Sequence, residues 1–245
     1  MGYPSDFLLK RLLYRDGLML VIDKPAGLAV HSGPGGGDHL ENYFDALRFG
    51  LPRTPALAHR LDRDTSGCLV LGRHPKALRK LGKLFSEHRI EKIYWAICKG
   101  VPQKPSGTIN APLIKQARGK GWRMEIADEN DENAQAARTT YRVLSSHDGM
   151  CFIEAKPKTG RTHQIRVHLE SIGAPILGDP QYGHFTQVER DQPMKLHARR
   201  IIIPISKNKD PVVVEAEPPT DMREILERLG YTIPAHSPDS GNLQE

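Results

Sequence analysis

The chain is 245 residues long, enough to bury a sizeable core as one large domain or two small ones. Its 35 lysines and arginines against 29 acids leave a formal charge of +6, which favours a polyanionic partner over an acidic protein without establishing nucleic-acid binding. Three widely spaced cysteines argue against a disulfide framework or a thiolate metal cage, and the longest apolar runs, LMLVI and IIIPI, are too short to cross a membrane.

No signal peptide opens the chain, and MGYPSD puts Asp6 where myristoylation needs Ser or Thr, so a soluble cytoplasmic protein is expected. LLYRDGLMLVIDKPAGLAVHS (12–32) reads as a hairpin, with Asp16-Gly17 supplying the positive φ angles of a tight turn and Lys24-Pro25-Ala26-Gly27 a second turn. SGPGGGDH (32–39) matches neither the dinucleotide fingerprint nor a P-loop and reads as a loop.

After ALAHRLDRDTSG, the run CLVLG is a short buried strand. HPKALRKLGKLFSEHR then sets Leu78, Leu81, Leu84 and Phe85 at helical spacing, with Lys76, Arg79, Lys80 and Lys83 off that stripe. KIYWAICKG is a further strand, residues 115–134 read as an exposed polar excursion, and strands resume at TTYRVLS and MCFIEAKP. TGRTHQIRVHLESIG reads as a helix capped by Thr162, with Ile165, Leu169 and Ile172 inward and Gly173 as its left-handed stop. KLHARRIIIPIS and PVVVEAEPP give late strands. Thr220 is expected to cap DMREILERLG, whose inner stripe is Met222, Ile225, Leu226 and Leu229. Strands in runs with few helices and no βαβ alternation predict an α+β fold with a largely antiparallel sheet. Residues 1–232 form the predicted catalytic domain and 233–245 a flexible tail.

Several chemistries lack parts. There is no H-E-x-x-H, and His163 and His168 lie five apart, off the spacing that places two ligands on one helical face. Ser66 lacks the G-x-S-x-G elbow. DRDTS approaches the D-x-D-x-[TV] signature of haloacid-dehalogenase-type phosphatases, but basic AHRL precedes it where an apolar parallel strand belongs.

HRLDRDTSG (59–67) resembles the signature of the RluA family of RNA pseudouridine synthases. EKIYWAICKG (91–100) and KTGRTHQIRVHL (158–169) resemble that family's next two motifs in order and spacing, and VIDKPAGLAVHSG, PILGDPQYG and LHARRI agree with it as well. The resemblance spans residues 11–220. It implies a mixed, largely antiparallel sheet with flanking helices and a central RNA-binding cleft. It also implies an isomerase that detaches uracil from its ribose at N1 and rejoins it through C5, with no cofactor and no metal.

Residue by residue, the resemblance makes Asp62 the nucleophile, which must be an anion to attack carbon. Arg166 matches the arginine that pairs with it, and an opposite charge at contact typically lowers a carboxylate pKa by about 1–3 units. Tyr94 matches the tyrosine that stacks on the target base and accepts the C5 proton. Because the uridine must leave its stack, Arg60 is expected to enter the vacated space. His59 and Arg63 either meet phosphate or hold the loop, while Lys76, Arg79, Lys80, Lys83, Arg161 and the stretch KQARGKGWR (115–123) are expected RNA contacts. Attack at C1′, attack at C6 and elimination through a glycal use the same three residues, and the sequence leaves that choice open. No accessory N-terminal RNA-binding module is expected, and the chain is expected to be a monomer acting on structured RNA. AVHSGPGG leans toward large-subunit rRNA over tRNA; a non-catalytic RNA-binding protein and a Mg-dependent phosphatase are the alternatives of other classes.

Overall fold

The computed structural model describes residues 2–33, 36–119, 121–128, 131–206 and 208–234. Its strands are β1 (Leu12–Arg15), β2 (Met19–Lys24), β3 (Ala56–Leu57), β4 (Ser66–Gly72), β5 (Glu91–Lys99), β6 (Ser106–Asn110), β7 (Leu113–Arg118), β8 (Gly121–Ile126), β9 (Arg138–His147), β10 (Met150–Pro157), β11 (Leu196–Ile203) and β12 (Val212–Glu215). Its α-helices are α1 (Pro75–Ser86), α2 (Gln164–Ser171), α3 (Gln187–Arg190) and α4 (Thr220–Arg228). The chain divides into two units: the described residues up to Lys92 with Ala198–Glu217, and Ile93–His197 with Pro218–Ile233.

In the first unit the strand order is β1-β2-β4-β11, with β3 paired to β4 and β12 to β11. The ladders β1–β2, β2–β4, β3–β4 and β11–β12 are antiparallel. Side chains two apart share a face, so Met19 and Val21, Cys68 and Val70, and Ile201 and Ile203 converge on one core with Leu81 and Leu84 of α1. Each of those leucines contributes about 1.5–3 kcal/mol by leaving water. Ala77 is also buried, and Leu78 and Phe85 are half-buried. The His74 imidazole caps α1 by accepting from the Ala77 amide.

The first hairpin forms by a different turn from the one expected. Neither Asp16 nor Gly17 has positive φ; instead the Asp16 carboxylate accepts from the amides of Leu18 and Met19, both at 2.7 Å. Gly67 does need its glycine, since at φ +102° a Cβ would stand 2.4 Å from the Ala198 carbonyl oxygen.

In the second unit β5-β10-β9-β6 lie side by side in antiparallel ladders. Ile93, Trp95 and Ile97 of β5 pack with Phe152 and with Met222, Ile225, Leu226 and Leu229, the expected inner stripe of α4. Pro219, not Thr220, occupies the cap position of that helix; the Thr220 hydroxyl accepts from Arg223 instead.

The polar stretch after Leu113 is no loose excursion. It folds as the antiparallel hairpin β7–β8, anchored through Leu113 and Met124 to Ala137, Val167 and Tyr182. Most of its other side chains face water, which hid its strands from periodicity. Helix α2 also begins later than expected: His163, in the left-handed conformation at φ 54°, is the residue before it, and Thr162 is not a cap. The buried Gln164 side chain closes that end, accepting from the Arg161 amide and the Thr159 hydroxyl and donating to the Arg138 carbonyl and Thr139 Oγ1. Gly173 ends the helix at φ +76°, as expected. The expected tail beyond 234, and Pro34 and Gly35 of the glycine-rich stretch, lie outside the described residues.

Candidate active site

Strand β2 ends in a lysine that is wholly buried. Lys24 donates its three ammonium protons to the carbonyls of Pro25 (2.7 Å), Leu28 (2.7 Å) and Arg63 (2.8 Å), which satisfies the group completely. A second clasp lies beside it: the Gly27 amide donates to the Arg63 carbonyl, and Arg63 Nε donates back to the Gly27 carbonyl, both at 3.0 Å. The segment after Asp62 is thereby tied to the Lys24-Pro25-Ala26-Gly27 turn, and the Thr65 amide closes a turn onto the Asp62 carbonyl at 3.2 Å. Asp62 itself is half-buried between buried Leu61 and exposed Arg63. Its side chain therefore stands on a fixed backbone.

Burial pushes the Lys24 ammonium from 10.5 down to about 7, against the pull of Asp64, Asp62 and Asp23. The unfolded chain holds that proton up to about 10.5, so between pH 7 and pH 10.5 it binds more protons than the native state, and stability rises with pH across that window. The expected slope from this group is on the order of 1 kcal/mol per pH unit. Urea unfolding at pH 7, 8 and 9 measures it, and Lys24→Met is expected to be less stable throughout and to lack that share of the slope.

His59 and Arg63 hold this loop. His59 Nε2 accepts from the Val70 amide at 3.0 Å and its ring lies 4.7 Å from that of Phe85. Burial and the neighbouring Lys92 charge push its pKa down to about 3, so the ring is neutral and carries no charge for a phosphate. Of the two roles expected for His59, phosphate contact or support of the loop, the bond to the Val70 amide supports the second. Arg60 projects into solvent on the same loop, and Lys76, Arg79, Lys80 and Lys83 are all exposed on α1.

In the second unit, Tyr94 on β5 lies opposite Ala155 of β10. Its neighbours Ile93 and Trp95 point into the core, so Tyr94 faces the other side of the sheet, 9% exposed. Arg166 sits in the first turn of α2, buried, and forms a bidentate pair with buried Asp179: Nε to Oδ2 at 2.7 Å and Nη2 to Oδ1 at 2.8 Å. Asp179 Oδ1 also accepts from the amides of Gln181 and Tyr182. The Arg166 guanidinium lies 4.8 Å from the centre of the Tyr182 ring. The arginine is thus fixed from two sides by the PILGDPQYG segment. Arg161 is exposed and donates through Nε to the Ala136 carbonyl.

Residues 18–171 match the family model described as RNA pseudouridylate synthase. The chain belongs to that family. An uncharacterised RNA pseudouridine synthase of Zymomonas mobilis is 45% identical to it over 214 residues, covering 86% of this chain and 95% of the relative. The ribosomal large subunit pseudouridine synthase D of the same organism is 35% identical, over 92% of this chain and 74% of its own length. Among solved structures, human RNA pseudouridylate synthase domain containing 4 matches with a TM-score of 0.79 at 28% identity, covering 94% of this chain and 97% of that one. This pseudouridine synthase isomerises uridine to pseudouridine in RNA, with the α+β fold and mostly antiparallel strands expected of the RluA type.

The synthase brings Arg60, Asp62 and Arg63 onto one loop of the first unit and carries Tyr94, Arg161 and Arg166 in the second. Sequence reading missed Lys24 and Asp179, which fix the two key segments. A signal for each was present: a lysine closing the apolar run LMLVID, and an aspartate inside PILGDPQYG. Among the described residues no group of three or more His, Cys, Asp or Glu side chains is arranged to hold a metal ion. The three cysteines are free and buried.

Proposed function

We propose that the synthase acts on large-subunit ribosomal RNA, with Asp62 as nucleophile, Arg166 as the cation that keeps Asp62 ionised, and Tyr94 as the residue that stacks on the target base and takes the C5 proton. The observation that carries the substrate assignment is the alignment of 92% of this chain with a relative named for the large ribosomal subunit. In the reaction the N1–C1′ bond breaks and a C5–C1′ bond forms, while C5 loses a proton and N1 gains one. The atoms balance with no oxidant, reductant or added group.

The fixed loop under Asp62 and the bidentate anchoring of Arg166 support these roles, because a nucleophile and its counter-charge act only as well as they are positioned. Arg60 is proposed to occupy the space left by the extruded uridine. Lys76, Arg79, Lys80, Lys83 and Arg161 are proposed to meet phosphates, each adding about 0.7–0.9 to the log–log salt slope of binding.

Pseudouridine mapping of total RNA from cells lacking the gene tests the substrate. A large-subunit rRNA position that disappears and returns on re-expression is the expected result. Loss confined to tRNA would overturn the rRNA assignment, and loss at no position in any RNA would overturn the proposed reaction in the cell.

A further inference from the structure

The β7–β8 hairpin presents an aromatic surface that neither the Asp62 loop nor Arg166 uses. Trp122, opposite Ala117 in the hairpin register, is 38% exposed, whereas the other tryptophan, Trp95, is 6% exposed. Two residues on, Met124 shares the face of Trp122 and is buried with Leu113, Val167 and Tyr182. One end of the strand face is anchored and the other is held out to water.

The indole has a stacked neighbour. Its ring stacks on His163, with centroids 5.2 Å apart and planes 24° from parallel. His163 is in turn held in the left-handed conformation at φ 54°, an uncommon state for a residue with a side chain. The Tyr182 oxygen accepts from the Met124 amide at 3.1 Å and is hydrogen-bonded to His163 Nδ1 at 2.9 Å. The Lys115 ammonium lies 4.6 Å from the centre of the Trp122 ring and shares its face of the hairpin, whereas Arg118 is on the opposite face, ion-paired with Glu125. An exposed aromatic ring beside a lysine suits an unpaired base with its phosphate better than an apolar protein surface.

We propose that Trp122 and Lys115 form a stacking site for an unpaired nucleobase of the substrate RNA, with Lys115 moving from the ring to the adjoining phosphate. The proposal deepens the RNA reading by placing one contact away from the reacting uridine. Because His163 immediately precedes α2 and Tyr182 touches both His163 and Arg166, a base seated on Trp122 lies two side chains from the arginine.

The test uses the full chain, with Trp122 as its own reporter, titrated with a 12-nucleotide oligouridylate and with an RNA duplex of equal length. A base stacked on the exposed indole quenches its emission, so quenching is expected with the single strand, in wild type and in Asp62→Ala alike, and not with the duplex. In filter binding of the single strand, Trp122→Ala is expected to weaken affinity about 5- to 150-fold, while Trp122→Phe, which keeps a stacking face, restores most of it. Lys115→Ala is expected to reduce the salt slope by about 0.7. Wild-type affinity in Trp122→Ala, or equal quenching by the duplex, would overturn the proposal and leave the exposed face to another partner. Failure of the rRNA reading shows separately, in the mapping experiment, where the binding data play no part.

Discussion

Asp62→Ala is expected to make no measurable pseudouridine, a loss on the order of 10⁴-fold or more in kcat, while binding RNA within a few-fold of wild type. The side chain is half-buried on a loop whose backbone is tied through main-chain atoms by Lys24, Gly27 and Thr65. Truncation therefore removes chemistry and leaves the loop standing, and stability should change by no more than about 1 kcal/mol. Single-turnover assays on rRNA beside filter binding separate the two effects. An Asp62→Ala chain that keeps a tenth or more of wild-type kcat would show that another group attacks the nucleotide.

Asp179→Ala is expected to act on stability and rate together. Arg166 and Asp179 are 4% and 0% exposed, and their bidentate pair takes both charges out of water. Removing one partner of such a pair typically costs about 3–5 kcal/mol, chiefly through the loss of its compensating charge. Two further acceptor bonds, to the amides of Gln181 and Tyr182, go with it. Urea unfolding reads the stability loss. Under conditions where the variant is still folded, kcat should fall by on the order of 10²-fold, because the guanidinium is no longer aimed. Asp179→Glu keeps the charge but shifts the fork, and it should recover more stability than rate. A stable, fully active Asp179→Ala would show that α2 orients Arg166 by itself.

The elements that sequence reading recovered are those whose side chains repeat with a period. Leu81 and Leu84 of α1, Met222, Ile225, Leu226 and Leu229 of α4, and the apolar runs of β4, β5 and β10 each mark a face that must leave water. The hairpin β7–β8 was illegible for the opposite reason: apart from Leu113 and Met124 it buries little, and its strands are held by hydrogen bonds that polar sequence does not reveal. Local turns were ambiguous too. Asp16 closes its turn with a carboxylate where glycine was expected to do so with φ, and Gln164, not Thr162, satisfies the start of α2. At the candidate site the proposed reacting groups come from motif resemblance. Of their supports the sequence shows only a lysine closing LMLVID and an aspartate inside PILGDPQYG; the partners they find, 39 and 13 residues away, leave no periodic trace.

The Lys24 clasp also joins distant parts of the chain. Its bond to the Arg63 carbonyl spans 39 residues, an entropic cost shared with the pairing of β2 and β4. The backbone that carries Asp62 therefore has a fixed address only where two segments far apart in sequence have met.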